Sequence, residues 1–181
     1  REPHCKRAVV APRMTPSAAV SRRADRARRA VRLAETLLRE ARGRIMFALD
    51  NGGDLRDNYI VGHTSLAGRV LFTDSPVGTP EAAFMKRNDP LGNPGEIESL
   101  VEQGYMVRTR TDADTVEART GDTTRRDAAF ASGAQIVSTD YEREDARFPG
   151  FVAALPTGGP AARCNPVSAP DDCTDDLFAD G

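Results

Sequence analysis

The sequence predicts an α/β protein built on a parallel sheet, and three observations carry that reading. Short apolar runs recur along the chain and each passes into charged residues: 44–50 (RIMFALD), 70–74 (VLFTD), 82–89 (AAFMKRND), 105–112 (YMVRTRTD) and 135–140 (QIVSTD). Helix-like segments stand between the later runs, at 94–103 (PGEIESLVEQ) and 122–131 (DTTRRDAAFA). The resulting order of strand, helix, strand, helix, strand pairs neighbouring strands in parallel through right-handed crossovers. In open parallel sheets and barrels the ligand site lies at the carboxyl ends of the strands, which is where each of these runs places its polar residues.

Taken in chain order, residues 1–21 mix Pro, Ser, Ala and Arg without helical or alternating period and read as a leader. From Ser21 to about Arg42 the chain is rich in Arg, Ala, Leu and Glu, with Ala30, Leu33, Leu37 and Leu38 near helical spacing and no proline inside. That pattern is one amphipathic helix. Gly43 ends it, and the 44–50 run, with glycines on both sides, fits a strand buried on both faces. Of the later helices, the first precedes Gly104 and the second Ser132 and Gly133. Asp122 followed by Thr123 and Thr124 suits a helix N-terminus, a structural role for that carboxylate.

Composition sets outer limits. The chain has 181 residues, 39% of them apolar, enough for one domain with a sizeable core. Its 25 basic and 27 acidic residues nearly cancel to a net charge of -2, so no global field draws it to nucleic acid or an anionic membrane. The arginines of 21–42 lack the aromatics that stack bases, and a solvated helix face accounts for them. Lys6 and Lys86 are the only lysines. Neither an apolar run of 18 residues nor a charged-then-apolar leader is present, so a leader for export would lie outside this chain. Cys164 and Cys173 flank a Pro-rich, helix-poor loop (CNPVSAPDDC) and read as a short disulfide, persisting only in an oxidising compartment. Two free thiols in a reduced protein are the other reading. No neighbouring Cys or His completes a metal set.

The stretch GYMVRTRTDADTVEARTGDTTRRDAAFASGAQIVSTDY, 104–141, resembles the final barrel segment of the calcium-dependent phosphoinositide phospholipase C family of bacteria and fungi. GRIMFALDN (43–51), GHTSLAGRVLFTDS (62–75), AAFMKRNDP (82–90) and the tail PAARCNPV (160–167) are similar too. The resemblance covers approximately Leu33 to Cys173. It implies the C-terminal part of a TIM (β/α)8 barrel of the phospholipase C-like phosphodiesterase type, incomplete because a whole barrel takes about 250 residues. It divides the chain into an unpatterned leader over 1–32, a partial barrel over 33–160 and a Cys/Pro-rich tail over 161–181. It also implies a phosphoric diester hydrolase of lipid metabolism, a phosphoinositide or related substrate met transiently at a membrane surface, secretion, and calcium as cofactor. The family's first strands carry two histidines, as general base and general acid, and Asn, Asp and Glu ligands for calcium. No segment here matches them, so the expectation is a fragment inactive alone, whose strand edges favour self-association. A glycerophosphodiester phosphodiesterase shares the barrel and closes on Thr-Asp, but the strand ends DNG (50–52) and KRND (86–89) favour the phospholipase. A non-catalytic module holding an inositol phosphate or a protein partner is the rival from another class.

Cleaving a phosphodiester through a neighbouring hydroxyl needs a base, an acid and positive charge on the phosphate oxygens. The chain's histidines are His4, in the leader, and His63, in a GHTS loop that suits a rim or structural role. Positive charge is better supplied. Lys86 and Arg87 end one strand, and Arg108 and Arg110, two apart on another, share a face. They hold either a phosphate and inositol hydroxyls or a salt-bridge layer with Asp50, Asp112 or Asp140. Asp50 and Asn51, at the end of the first strand, suit inositol hydroxyls, a cation or the orientation of a histidine. In a closed barrel Asp140 would meet the first strand's histidine and fix its tautomer, with Tyr141 beside it as a substrate-binding residue. Asp112 and Asp114 lack the rest of an EF-hand pattern and read as loop carboxylates.

Overall fold

The computed structural model describes residues 45–155, 162–169, 171 and 173–175. The leader, the helix expected over 21–42, His4 and Arg44 at the head of the first run lie outside the described residues. Five strands form one sheet in the order β1-β2-β3-β4-β5, and every pairing is parallel. They are β1 (Phe47–Leu49), β2 (Leu71–Asp74), β3 (Ala82–Lys86), β4 (Met106–Arg110) and β5 (Ile136–Ser138). All five expected runs become strands, and sequential parallel order in a half-barrel sheet is that of part of a TIM barrel.

Each strand is shorter than its run: β2 loses Val70 at its front and keeps Asp74 in the ladder opposite Phe84, whereas β3, β4 and β5 stop short of the polar residues that end their runs. Arg87 and Asn88 pass out of β3 toward Pro90, which has no N–H to continue pairing. Helix α2 (Pro94–Glu102) joins β3 to β4, and α3 (Val116–Thr120) and α4 (Thr124–Ala131) join β4 to β5. Proline is the first helical residue of α2, where its missing N–H is not needed. Gly104, at φ 89, closes α2 in the left-handed conformation, with Tyr105 N donating to the Leu100 carbonyl.

Ile97, Leu100 and Val101 recur at i, i+3 and i+4 along α2 and pack on Met85 of β3 and Val107 of β4, all buried. Each such side chain contributes roughly 1.5–3 kcal/mol by leaving water. A second cluster gathers Ala118, Tyr141 and Phe151, with Phe148 packed against it. Both the Phe148 and Phe151 rings stand edge-on to Tyr141, with centroids 5.9 and 5.4 Å away.

Helix α3 falls where no helix was read, and three further features depart from the sequence reading. The first run is not buried on both faces: β1 is the edge of the described sheet, and Phe47 is 52% exposed, because only β2 pairs with it there. Helix α1 (Gly53–Ile60) was not expected, since GDLRDNYI has no apolar stripe and buries no residue. Polar contacts hold it instead. The Tyr59 hydroxyl accepts from the backbone N–H of Val70 and Leu71, and Arg56 donates to the Asp74 carbonyl. Finally, β2 reaches its parallel neighbour β3 through residues 75–81 with no helix, where a crossover usually takes a dozen residues or more. The strands are so short that seven extended residues, about 23 Å, span the return. Tyr105 braces that link, its hydroxyl accepting from Gly78 N.

Candidate functional site

Side chains alternate across a strand, so the core cluster assigns the faces. Met85 and Val107 point at α2, and therefore Lys86, Arg108 and Arg110 lie on the opposite face, the concave side of the sheet. Lys86 is directly beside Arg108 in the register, and Arg110 is beside Ser138. The shared face inferred from the spacing of the two arginines is the one turned away from α2.

Just beyond β1, Asp50 holds Lys86 twice: its carbonyl accepts from Nζ at 2.5 Å and its carboxylate lies 3.1 Å away. Arg108 donates to Asn88 Oδ1 at 2.7 Å. Among the described residues neither Arg108 nor Arg110 has a carboxylate within ion-pair distance, and Arg110 makes no side-chain hydrogen bond. Of the expected salt-bridge layer, the Lys86–Asp50 pair forms and the arginine pairs with Asp112 and Asp140 do not. Arg87, one position on, is spent differently: Glu96 accepts from its Nε at 2.6 Å and Asp74 lies 3.5 Å from Nη1. An open cleft of about 260 Å³ lies over the end of β3, lined by Lys86, Arg87, Asn88, Asp89, Asn93, Glu96 and Ile97.

Asp112 is the carboxylate that the sequence reading undervalued. It is 1% exposed at the end of β4, where Oδ1 accepts from the Thr111 and Thr139 hydroxyls and Oδ2 from the Asp140 N–H at 3.3 Å. A carboxylate buried with only neutral donors ties the end of β4 to the end of β5. The signal was present: the runs of β2, β4 and β5 each close on Thr-Asp, at 73–74, 111–112 and 139–140. Asp140 itself is exposed and reached through this tie. Tyr141, expected beside the substrate, is 4% exposed in the aromatic cluster, and burial pushes its phenol above the ordinary range. Asn51 is exposed and its side chain has no hydrogen bond among the described residues. Also unforeseen was Arg125, which donates to the Asn88 carbonyl at 3.1 Å and lies 2.7 Å from Glu117, bracing the residue that receives Arg108.

His63 serves its own loop: Nδ1 lies 2.8 Å from the Ala67 carbonyl. Asp122 accepts from both the amide and the hydroxyl of Thr124 at the start of α4, and these bonds hold its carboxyl below the usual range. Cys164 and Cys173 are joined in a disulfide with a Cα separation of 6.0 Å. Their loop docks at the opposite end of the sheet from the arginines. Asn165 Nδ2 donates to the Gly133 carbonyl at 2.6 Å and Arg163 to that of Phe130, at the turn between α4 and β5.

A family model described as phosphoinositide phospholipase C, Ca2+-dependent, matches residues 15–166. The matched span begins ahead of Leu33, inside the leader, and stops short of Cys173. No curated protein and no solved structure matches the chain. The family's description names calcium, but among the described residues no group of three or more His, Cys, Asp and Glu side chains converges to hold a metal ion. Two of the strand-end carboxylates do not fit a calcium site: Asp112 is satisfied by hydroxyls and an amide, and Asp50 by Lys86. The match covers most of the chain, and the five strands pair in parallel and in sequence order, as in part of a TIM barrel; the chain belongs to the Ca2+-dependent phosphoinositide phospholipase C family.

Proposed function

We propose that this chain supplies the phosphate-holding part of a phosphatidylinositol-cleaving phosphoric diester hydrolase, secreted in its whole form, and that the proton-transfer groups and the calcium ligands are not among its described residues. One observation carries the reading: Arg108 and Arg110 stand two apart on the concave face, beside Lys86, with no carboxylate neutralising them among the described residues. Arginines left without counter-ions at strand ends suit the two non-bridging oxygens of a phosphodiester, which share one negative charge and which a guanidinium meets with two parallel N–H donors. In that role they stabilise the negative charge that builds on the phosphate oxygens as the inositol hydroxyl attacks. Asn88 and Arg125 set the angle of Arg108, and Asp50 sets that of Lys86. Asp50 and Asn51 face the inositol hydroxyls. Asp140 is the group we assign to orient a histidine of the barrel's first strand, with Asp112 fixing its backbone. We do not assign His63 as the base: its Nδ1 meets the Ala67 carbonyl of its own loop, and among the described residues no carboxylate lies within ion-pair distance of its ring.

The test is cleavage of phosphatidylinositol in the presence of calcium, by this chain and by the chain extended with the N-terminal half of a full-length relative. Turnover only in the extended form, falling at least about tenfold when Arg110 becomes Gln, supports these assignments. Turnover by the chain alone overturns the division of labour. If the extended form folds and binds inositol phosphate without turnover, a non-catalytic binding module is the better description.

A further inference from the structure

Asparagine chemistry separates the chain's five asparagines, at 51, 58, 88, 93 and 165. The backbone nitrogen of the following residue attacks the side-chain amide carbon, a new C–N bond closes a succinimide ring, and ammonia leaves. Water then opens the ring to aspartate or isoaspartate. The step needs a following nitrogen that bears a hydrogen, little bulk at that residue, and a backbone free to bring the two atoms together. Asn93 and Asn165 precede prolines, whose nitrogens have no hydrogen. Asn58 is inside α1, where regular backbone geometry holds the Tyr59 nitrogen away. Asn88 has its side chain on Arg108.

Asn51 meets every requirement. It precedes Gly52, both residues are exposed, and its amide has no partner among the described residues. Nothing lies within 4 Å of where a Cβ would stand at Gly52. Gly52 is extended ahead of the first turn of α1, and Gly53 follows at φ 59, so the glycine pair gives the loop the rotational freedom that ring closure needs.

We propose that Asn51 is a self-modification site, at which attack by the Gly52 nitrogen and hydrolysis by solvent replace a neutral amide with a carboxylate. The new charge appears next to the Asp50–Lys86 pair, where it competes for the lysine's ammonium and reduces the positive field on the concave face. That consequence rests on the phosphate-holding reading; the modification itself does not.

The folded chain is incubated at physiological temperature, at neutral and at mildly alkaline pH, and its tryptic peptide 45–56 is followed by mass and by isoaspartate assay. The expected result is a gain of about one dalton at Asn51, faster in alkali because the nitrogen must shed its proton, with Asn58 and Asn88 unchanged. Gly52→Ala fits the open space and the extended backbone, so the variant folds, and it slows conversion by roughly tenfold or more through bulk and stiffness. Conversion at Asn51 no faster than at Asn58 and Asn88, or undiminished in Gly52→Ala, overturns the proposal. The mass readout does not depend on phosphate capture, so the two readings fail separately.

Discussion

Asp112 shows how much one side chain organises at this site. Its removal as Asp112→Ala strands the hydroxyls of Thr111 and Thr139 and the Asp140 N–H, and each buried donor left unpaired costs about 1–3 kcal/mol. Urea denaturation should therefore show a loss of at least that size, with Thr139→Val losing less. An Asp112→Ala variant as stable as the parent would mean that water replaces the carboxylate and that the tie is unimportant. Asp145 gives a second residue-scale expectation. The Arg147 guanidinium, which it meets at 2.6 Å, holds its carboxyl down to about 2, from an ordinary 3.8. Because the folded value is the lower one, the contribution is present above pH 3.8 and lost as pH falls toward 2. Arg147 is exposed and Asp145 half-buried, so solvent screens the pair and the effect on stability is small. A carbon-detected titration of Asp145 tests it: most of the shift should be lost in Arg147→Gln, and the part that the backbone N–H of residue 147 supplies should remain.

At the scale of elements, the disulfide loop is a strap on the turn between α4 and β5. Val167 fills the space above Gly133, whose absent side chain is what allows the approach: a Cβ there would lie 2.4 Å from Val167 Cγ2. Closing a loop across a sequence separation of 9 stabilises by roughly 2–3 kcal/mol in the chain-entropy picture. Reduction of the disulfide, or Gly133→Ala, should make the chain after Arg163 protease-sensitive while the sheet stays protected, a pattern that limited proteolysis with peptide mapping resolves. Equal protection before and after reduction would show that Asn165 and Val167 hold the strap without the bond. The five strands and α2 and α4 were legible in the sequence because each combines a short apolar run or an i, i+3, i+4 stripe with glycine or proline at its ends. Helix α1 was not, since polar contacts from Tyr59 and Arg56 hold it and no periodicity records such contacts. The site divided in the same way. Spacing put Arg108 and Arg110 on one face, but only the packing of Met85 and Val107 says which, and the inward turn of Tyr141 depends on Phe148 and Phe151, residues that the sequence places well after it.

At the scale of the whole molecule, the described sheet ends on β1, and apolar side chains crowd that edge. Ile45, Phe47 and Val70 are mostly or half exposed, with Leu55 and Val61 of the adjoining α1 region exposed as well. A parallel strand with one pairing partner presents a row of backbone donors and acceptors, and an apolar surround makes pairing with another chain favourable in water. Charged side chains at an edge are the usual protection, and between Ile45 and Leu49 there is none. Two copies meeting edge to edge about a two-fold axis would pair β1 with β1 antiparallel and cover Phe47 on both sides. Sedimentation velocity across a concentration series should therefore show a mass that rises with concentration, and Phe47→Lys should hold the chain at the monomer mass by placing a charge where the second copy would sit. A monomer at all concentrations would instead mean that β1 is covered within the chain itself, and hydrogen exchange would then find the amides of 47–49 protected even at high dilution.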